Sequence, residues 1–235
     1  MIRALVFDFD GLIVDTESSV YEAWRRIYAQ HGQELPKQRW QARIGTDGAA
    51  FDPLAELRER VDQPLDVERI QRSRMEFHRA QIALLGQLPG VRECLEHARA
   101  SSLATAIASS SPLAWVSEHI ERLGLSHYFD ALVTIEQVGA AKPAPDLYLR
   151  ATELLEVDPE HAIAIEDSPN GVAAAKAAGL YCLAVPGPMT RDLSFDAADA
   201  VLHSLDALPA REWIAQAAVA RAARRAAVRL TSPHP

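Results

Sequence analysis

The sequence is short of cysteine, of lysine and of long apolar runs, and each shortage excludes something. Only Cys94 and Cys182 occur, far apart and with no CxxC pair. A disulfide framework and a cysteine metal site are therefore not expected, and both thiols, in apolar surroundings, read as buried and reduced. No apolar run reaches membrane-spanning length. The amino terminus enters a strand directly, with no basic leader and no small-residue cleavage site. These features predict a cytoplasmic protein without a membrane partner. Basic charge is not in excess either: the net charge is −8 and the pI about 5.5, so nucleic acid is not an expected partner. There is no internal repeat. Lysine occurs only at positions 37, 142 and 176, against 21 arginines. An ammonium is a compact point charge and a guanidinium a planar fork, so in a chain whose default cation is Arg each lysine is a candidate for a specific task.

What is present suits one large domain, or one domain with an insertion: 235 residues, 49% of them hydrophobic. Ala4-Leu5-Val6-Phe7 reads as a buried strand running on to Asp8-Phe9-Asp10-Gly11, with Phe7 and Phe9 on one side and the two aspartates on the other. From about Glu17 to Leu85 every segment reads as helix: 17–31, a short helix from Pro36, 53–61 and 67–85, separated by Gly32, Gly45-Thr46-Asp47-Gly48 and Asp62-Gln63-Pro64. After Leu88-Pro89-Gly90 the pattern changes. Strands at 103–108, 131–134, 162–165, 181–185 and 200–202 alternate with helices at 91–100, 112–123, 145–155, 168–178 and 208–230. Alternation of this kind predicts an α/β fold, a doubly wound parallel sheet wrapped by helices. The core takes residues 1–16 and 86–235, and a helical cap is inserted at 17–85. The Ala/Arg-rich last helix is expected to dock through Trp213, Ile214 and Val219.

In open parallel sheets ligands bind beyond the carboxyl ends of the strands. Those ends carry Asp8 and Asp10, Ser109, and Glu166 with Asp167, and Lys142 lies in the loop after the third strand. Each has an ordinary structural reading: an Asp-Gly turn, a helix N-cap at Ser109, a solvated cation, acids at a helix start. Two buried acids side by side repel and lose hydration, which a divalent cation or a proton shared with substrate would relieve. Four carboxylates, a hydroxyl and an ammonium on one rim make a complementary set that independent accidents explain poorly.

Asp8-Phe9-Asp10-Gly11, Ser109, Lys142-Pro143 and Glu166-Asp167 resemble, in order, the four motifs of the haloacid dehalogenase-like hydrolase superfamily, whose core is Rossmann-like. The inserted helices resemble those of its subfamily with a small α-helical cap, which includes phosphoglycolate phosphatase-like enzymes and β-phosphoglucomutase. The resemblance implies Asp8 as nucleophile forming an aspartyl-phosphate and Asp10 as general acid and base. It implies Mg²⁺ held by Asp8, the backbone carbonyl of Asp10 and Asp167, with Glu166 a further ligand or the group that orients the others. Ser109 and the backbone N–H of Ser110 would hold phosphoryl oxygens, and Lys142 would neutralise nucleophile and transferring group. Relatives that dehalogenate lack an acid at the position of Asp10, so dehalogenation is disfavoured. The implied activity is Mg-dependent hydrolysis of a small phosphorylated metabolite such as a sugar phosphate, with Thr46 and Asp47 of the cap loop suited to its hydroxyl groups. The alternative is a β-phosphoglucomutase-type mutase. Those enzymes use a histidine near the hinge and a cap arginine, whereas Ser18-Ser19-Val20 has no histidine and Gly45-Thr46-Asp47-Gly48 no arginine, although Arg39 or Arg43 could substitute. A non-catalytic binding protein on the same fold is the third reading.

Overall fold

The computed structural model describes residues 1–46 and 51–231, with side chains as far as Arg224. Six parallel strands form one sheet in the order β3-β2-β1-β4-β5-β6. These are β1 (Ala4–Phe7), β2 (Ala104–Ala108), β3 (Ala131–Val133), β4 (Ala162–Glu166), β5 (Tyr181–Ala184) and β6 (Ala200–Val201). The central strands alternate bulky and small residues. Leu5, Phe7, Ile107, Ile163, Ile165 and Leu183 face one apolar cluster; Ala4, Val6, Ala106, Ala108, Ala162, Ala164, Cys182 and Ala184 face the other. The period of two makes this division automatic. The bulky face packs on α5 (Val91–Ala100), α6 (Leu113–Arg122) and α9 (Ala210–Thr231). The alanine face lets α7 (Asp146–Leu154) and α8 (Pro169–Ala177) sit close to the sheet.

Register then positions the acids. Phe7 is level with Ile165, so the next residues in line, Asp8 and Glu166, lie side by side on the small-residue face. The strand itself stops at Phe7. The chain bends through Gly11 at φ 88°, with the Gly11 N–H donating to Val14 O at 2.8 Å and the Ile13 N–H to Phe9 O at 2.9 Å. Asp10 therefore leaves the strand plane. Its carboxyl does not stand beside that of Asp8, as continuous alternation would require; it turns toward Thr16 and Trp115.

Between Asp15 and α5, the regular elements among the described residues are helices: α1 (Thr16–Gln30), α2 (Lys37–Gln41), α3 (Pro53–Arg60) and α4 (Val67–Ile82). Asp15, Asp52 and Asp66 cap three of them by accepting backbone N–H groups. Trp24, Tyr28, Trp40, Phe51 and Leu57 form their own apolar cluster. The two chain crossings run together, with the Leu88 N–H donating to Ile13 O at 2.8 Å. Lys37 and Gln41 tie the helices to the 188–192 loop, at 3.1 Å and 2.8 Å from Asp192 Oδ1. Both cysteines are buried and free. No described helix is long and apolar enough to cross a membrane. In α9 Trp213 and Ala217 dock, with Ile214 partly buried against the same cluster; Val219, expected on that side, is exposed, since it lies about 200° round the helix from Ala217.

At the seam between α4 and the sheet domain, His78 is buried, its Nδ1 3.0 Å from Ser19 Oγ. Burial and the neighbouring Arg74 push its pKa down to about 4; His119 adds to this and Asp10 opposes it. The unfolded chain then binds a proton that the folded chain refuses between about pH 4 and the ordinary histidine value, so stability falls as the pH drops through that window. In His78→Asn, the slope of unfolding free energy against pH, measured by urea titration, should flatten there by an amount on the order of 2 kcal/mol over the whole window.

Candidate active site

The sheet gathers Asp8, Lys142, Glu166 and Asp167 at the carboxyl ends of β1 and β4. Lys142 is fully buried and its Nζ donates to Asp8 Oδ1 and to Glu166 Oε1, the latter at 2.6 Å. Burial disfavours the ammonium, but the two carboxylates outweigh it and raise the Lys142 pKa. Asp8 is raised chiefly by burial, with Lys142 opposing and Glu166 adding to it. Glu166 is saturated with donors. Its Oε1 also accepts from Tyr148 Oη at 2.6 Å, and its Oε2 from the Asp167 N–H at 3.2 Å and from Ser168. A carboxylate so fully engaged is suited to orienting Lys142.

Asp167 differs. It is buried, its Oδ1 has no hydrogen-bond partner, and burial with the charges of Asp8 and Glu166 raises its pKa far above the ordinary carboxylate range. One oxygen from each of Asp8, Glu166 and Asp167 lies within 4.8 Å of the others. Three close-set carboxylates, one of which also carries a buried oxygen without a hydrogen-bond partner, fit a hard divalent cation such as Mg²⁺. The carboxyl of Asp10 is not in this cluster.

Two glycines make the packing feasible. A Cβ on Gly11 would fall 2.1 Å from Asp167 Oδ2, and one on Gly171, in the first turn of α8, 1.9 Å from Glu166 Cδ. Neither space holds a methyl group.

Asp10 is held by four donors. Oδ1 accepts from Thr16 Oγ1 at 2.7 Å and Trp115 Nε1 at 2.9 Å; Oδ2 accepts from Ser111 Oγ at 2.6 Å and Ser109 Oγ at 3.4 Å. Ser109 therefore sits beside Asp10, and also accepts the Ser111 N–H at 3.0 Å. The Ser110 hydroxyl points elsewhere: it donates to Gly45 O at 3.2 Å and accepts the Lys142 N–H at 3.3 Å. Asn170 Nδ2 donates to Ile44 O at 2.8 Å, so the loop before residue 46 is latched onto the site. Thr46 Oγ1 donates back to Arg43 O at 2.7 Å; Asp47 lies outside the described residues. Glu17, half-buried, is pushed up to about 7 by burial and by Asp10, with Arg43 opposing.

Sequence reasoning did not single out Tyr148, Thr16, Ser111 or Trp115. Ser111 carried a signal, as the third of three consecutive serines. Tyr148 and Trp115 look from sequence like ordinary apolar-face residues of α7 and α6.

A family model described as haloacid dehalogenase-like hydrolase matches residues 2–179. The chain is 40% identical over 205 residues to the protein YhcW of Bacillus subtilis (strain 168), covering 87% of this chain and 93% of that one. It is 36% identical over 180 residues to the phosphorylated carbohydrates phosphatase of Thermotoga maritima, covering 76% and 82%. The crystal structure of CbbY from Rhodobacter sphaeroides in complex with phosphate superposes with a TM-score of 0.67 at 29% identity, covering 87% of this chain and 95% of that one.

Gly171→Ala should overpack the Glu166 carboxylate. The expected result is a stability loss on the order of 1–3 kcal/mol with activity lost at temperatures where the protein remains folded, read by thermal unfolding and phosphate release side by side.

Proposed function

The chain belongs to the haloacid dehalogenase-like hydrolases, and we propose that it is a Mg²⁺-dependent phosphatase of a small phosphorylated sugar, acting through an aspartyl-phosphate on Asp8. That it is an enzyme hydrolysing phosphate esters follows from the family and from its relatives. The observation that carries the finer reading is the buried Asp8–Lys142–Glu166 triad beside the unpartnered oxygen of Asp167. The sugar is inferred from the phosphorylated carbohydrates phosphatase among the relatives.

Asp8 attacks phosphorus in line with the leaving oxygen. Lys142 favours the ionised form of Asp8 against the burial that opposes it, and offsets the charge of the incoming dianion. Ser109 and the Ser110 N–H hold phosphoryl oxygens. Asp8, the Asp10 backbone carbonyl and Asp167 would hold Mg²⁺, which when bound supplies positive charge against nucleophile and phosphate together. Asp10 gives its proton to the leaving oxygen, then takes one from the water that attacks the aspartyl-phosphate. The helical block 17–85 acts as a cap, latched at Gly45 and Ile44, and carries the residues that read the rest of the substrate, Thr46 and Asp47 among them.

One observation favours a second reading, phosphomutase. Arg43 is stacked on Trp40, 4.6 Å from the ring centroid, with its charge opposed by Glu17 and Asp52; Arg74 lies close enough to feel its repulsion. Two neighbouring cations on the helical block would suit a substrate with negative charge at its far end. Arg39 is otherwise engaged, 3.1 Å from Glu56.

With Mg²⁺, the purified protein should release phosphate from a panel of sugar phosphates. Chelation should stop release and Mg²⁺ restore it, and Asp8→Asn should lower turnover by at least about a thousandfold. Isomerisation of β-glucose 1-phosphate without phosphate release would decide for the mutase. Undiminished turnover by Asp8→Asn would remove the nucleophile assignment.

A further inference from the structure

We propose that Trp115 is a positioning residue that decides which oxygen of Asp10 works. This rests on the reading of Asp10 as general acid and base. Four donors surround the Asp10 carboxyl, two on each oxygen. Three of them are hydroxyls, of Thr16, Ser111 and Ser109, and a hydroxyl can turn to accept. The fourth is the indole N–H of Trp115, which can only donate. Oδ1, on which it is directed at 2.9 Å, must therefore remain an acceptor, and a proton carried by Asp10 has its place on Oδ2. Oδ2 is the oxygen beside Ser109 and Ser111, on the side where the phosphoryl group is held. The indole thus aims the proton at the leaving oxygen.

The transfer balances. A carboxylate oxygen of Asp8 forms its bond to phosphorus while the bond from phosphorus to the leaving oxygen breaks. The proton on Asp10 Oδ2 passes to that oxygen, and Asp10 is left as carboxylate with its Oδ1 still accepting from Trp115.

The indole is itself held from the helical block. His78 of α4 stacks on it, ring centroids 5.3 Å apart at 17°, and His119 lies against it at 4.1 Å. Ser19 of α1 steadies His78 at 3.0 Å. The aim of Asp10 therefore depends on contact between the helices and the sheet domain.

The test is a leaving-group series on the full chain with Mg²⁺. A poor leaving group such as a sugar alkoxide needs its proton; p-nitrophenolate does not. In Trp115→Phe, kcat/KM for a sugar phosphate should fall about 10–100-fold, part of what a positioned acid contributes. For p-nitrophenyl phosphate it should fall less than about threefold. Should Trp115→Phe fold poorly, β-(3-benzothienyl)alanine at position 115 keeps the shape, lacks the N–H and should give the same selective loss. An equal loss for both substrates, or none, overturns the proposal. Asp10→Asn separates this from failure of the underlying reading: if that variant still turns over the sugar phosphate, Asp10 is not the acid and the proposal falls with it. If Asp10→Asn is inactive and the Trp115 variants show no selectivity, only the role of Trp115 is refuted.

Discussion

Everything at this site depends on one ammonium buried between two carboxylates. Lys142 has no contact with solvent, and neither has Glu166. Charges withdrawn from water in this way are costly unless paired, and removing one partner of such a group typically destabilises by about 3–5 kcal/mol. The fold supplies the pairing by register: parallel β1 and β4 bring Asp8 and Glu166 level, and the loop after β3 delivers Lys142 between them. Tyr148 and Ser168 fill the remaining capacity of Glu166. What is left uncompensated is concentrated on Asp167, whose free oxygen is where a cation has something to gain.

The small residues of the sheet serve the same end. Alanines on one face of β1, β2, β4 and β5 let α7 and α8 come close, which is what brings Tyr148 within 2.6 Å of Glu166 and leaves no room for a side chain at Gly171. A bulkier strand face would hold α7 away and strand the carboxylate without its phenol.

Much of this was legible in the chain. The alternation of Ala with Ile in Ala162-Ile163-Ala164-Ile165 marks a strand buried on both faces, and the abrupt acids after it mark a strand end. Of the three lysines, Lys142 is set apart by burial between two carboxylates, Asp8 and Glu166; Lys37 and Lys176 each pair with one, Asp192 and Asp199, as several arginines do. What could not be read is what depends on the bend after Phe7. Sequence periodicity carries Asp10 onto the side of Asp8; the turn at Gly11 carries it instead to Thr16, Ser111 and Trp115, a set drawn from two stretches of chain with no shared local pattern. Val219 failed for a simpler reason, since helical phase is fixed by where Trp213 and Ala217 dock, and a run of alanines does not reveal it.

The latch between the helices and the sheet domain runs through main-chain carbonyls, those of Ile44 and Gly45, received by Asn170 and Ser110. A carbonyl offers the same acceptor whatever residue bears it. Position 45 itself is nonetheless fixed by the contact: Gly45 stands at φ 79°, and a Cβ there would fall 2.3 Å from Ser168 Oγ, so the carbonyl can be presented at this distance only by a residue without a side chain.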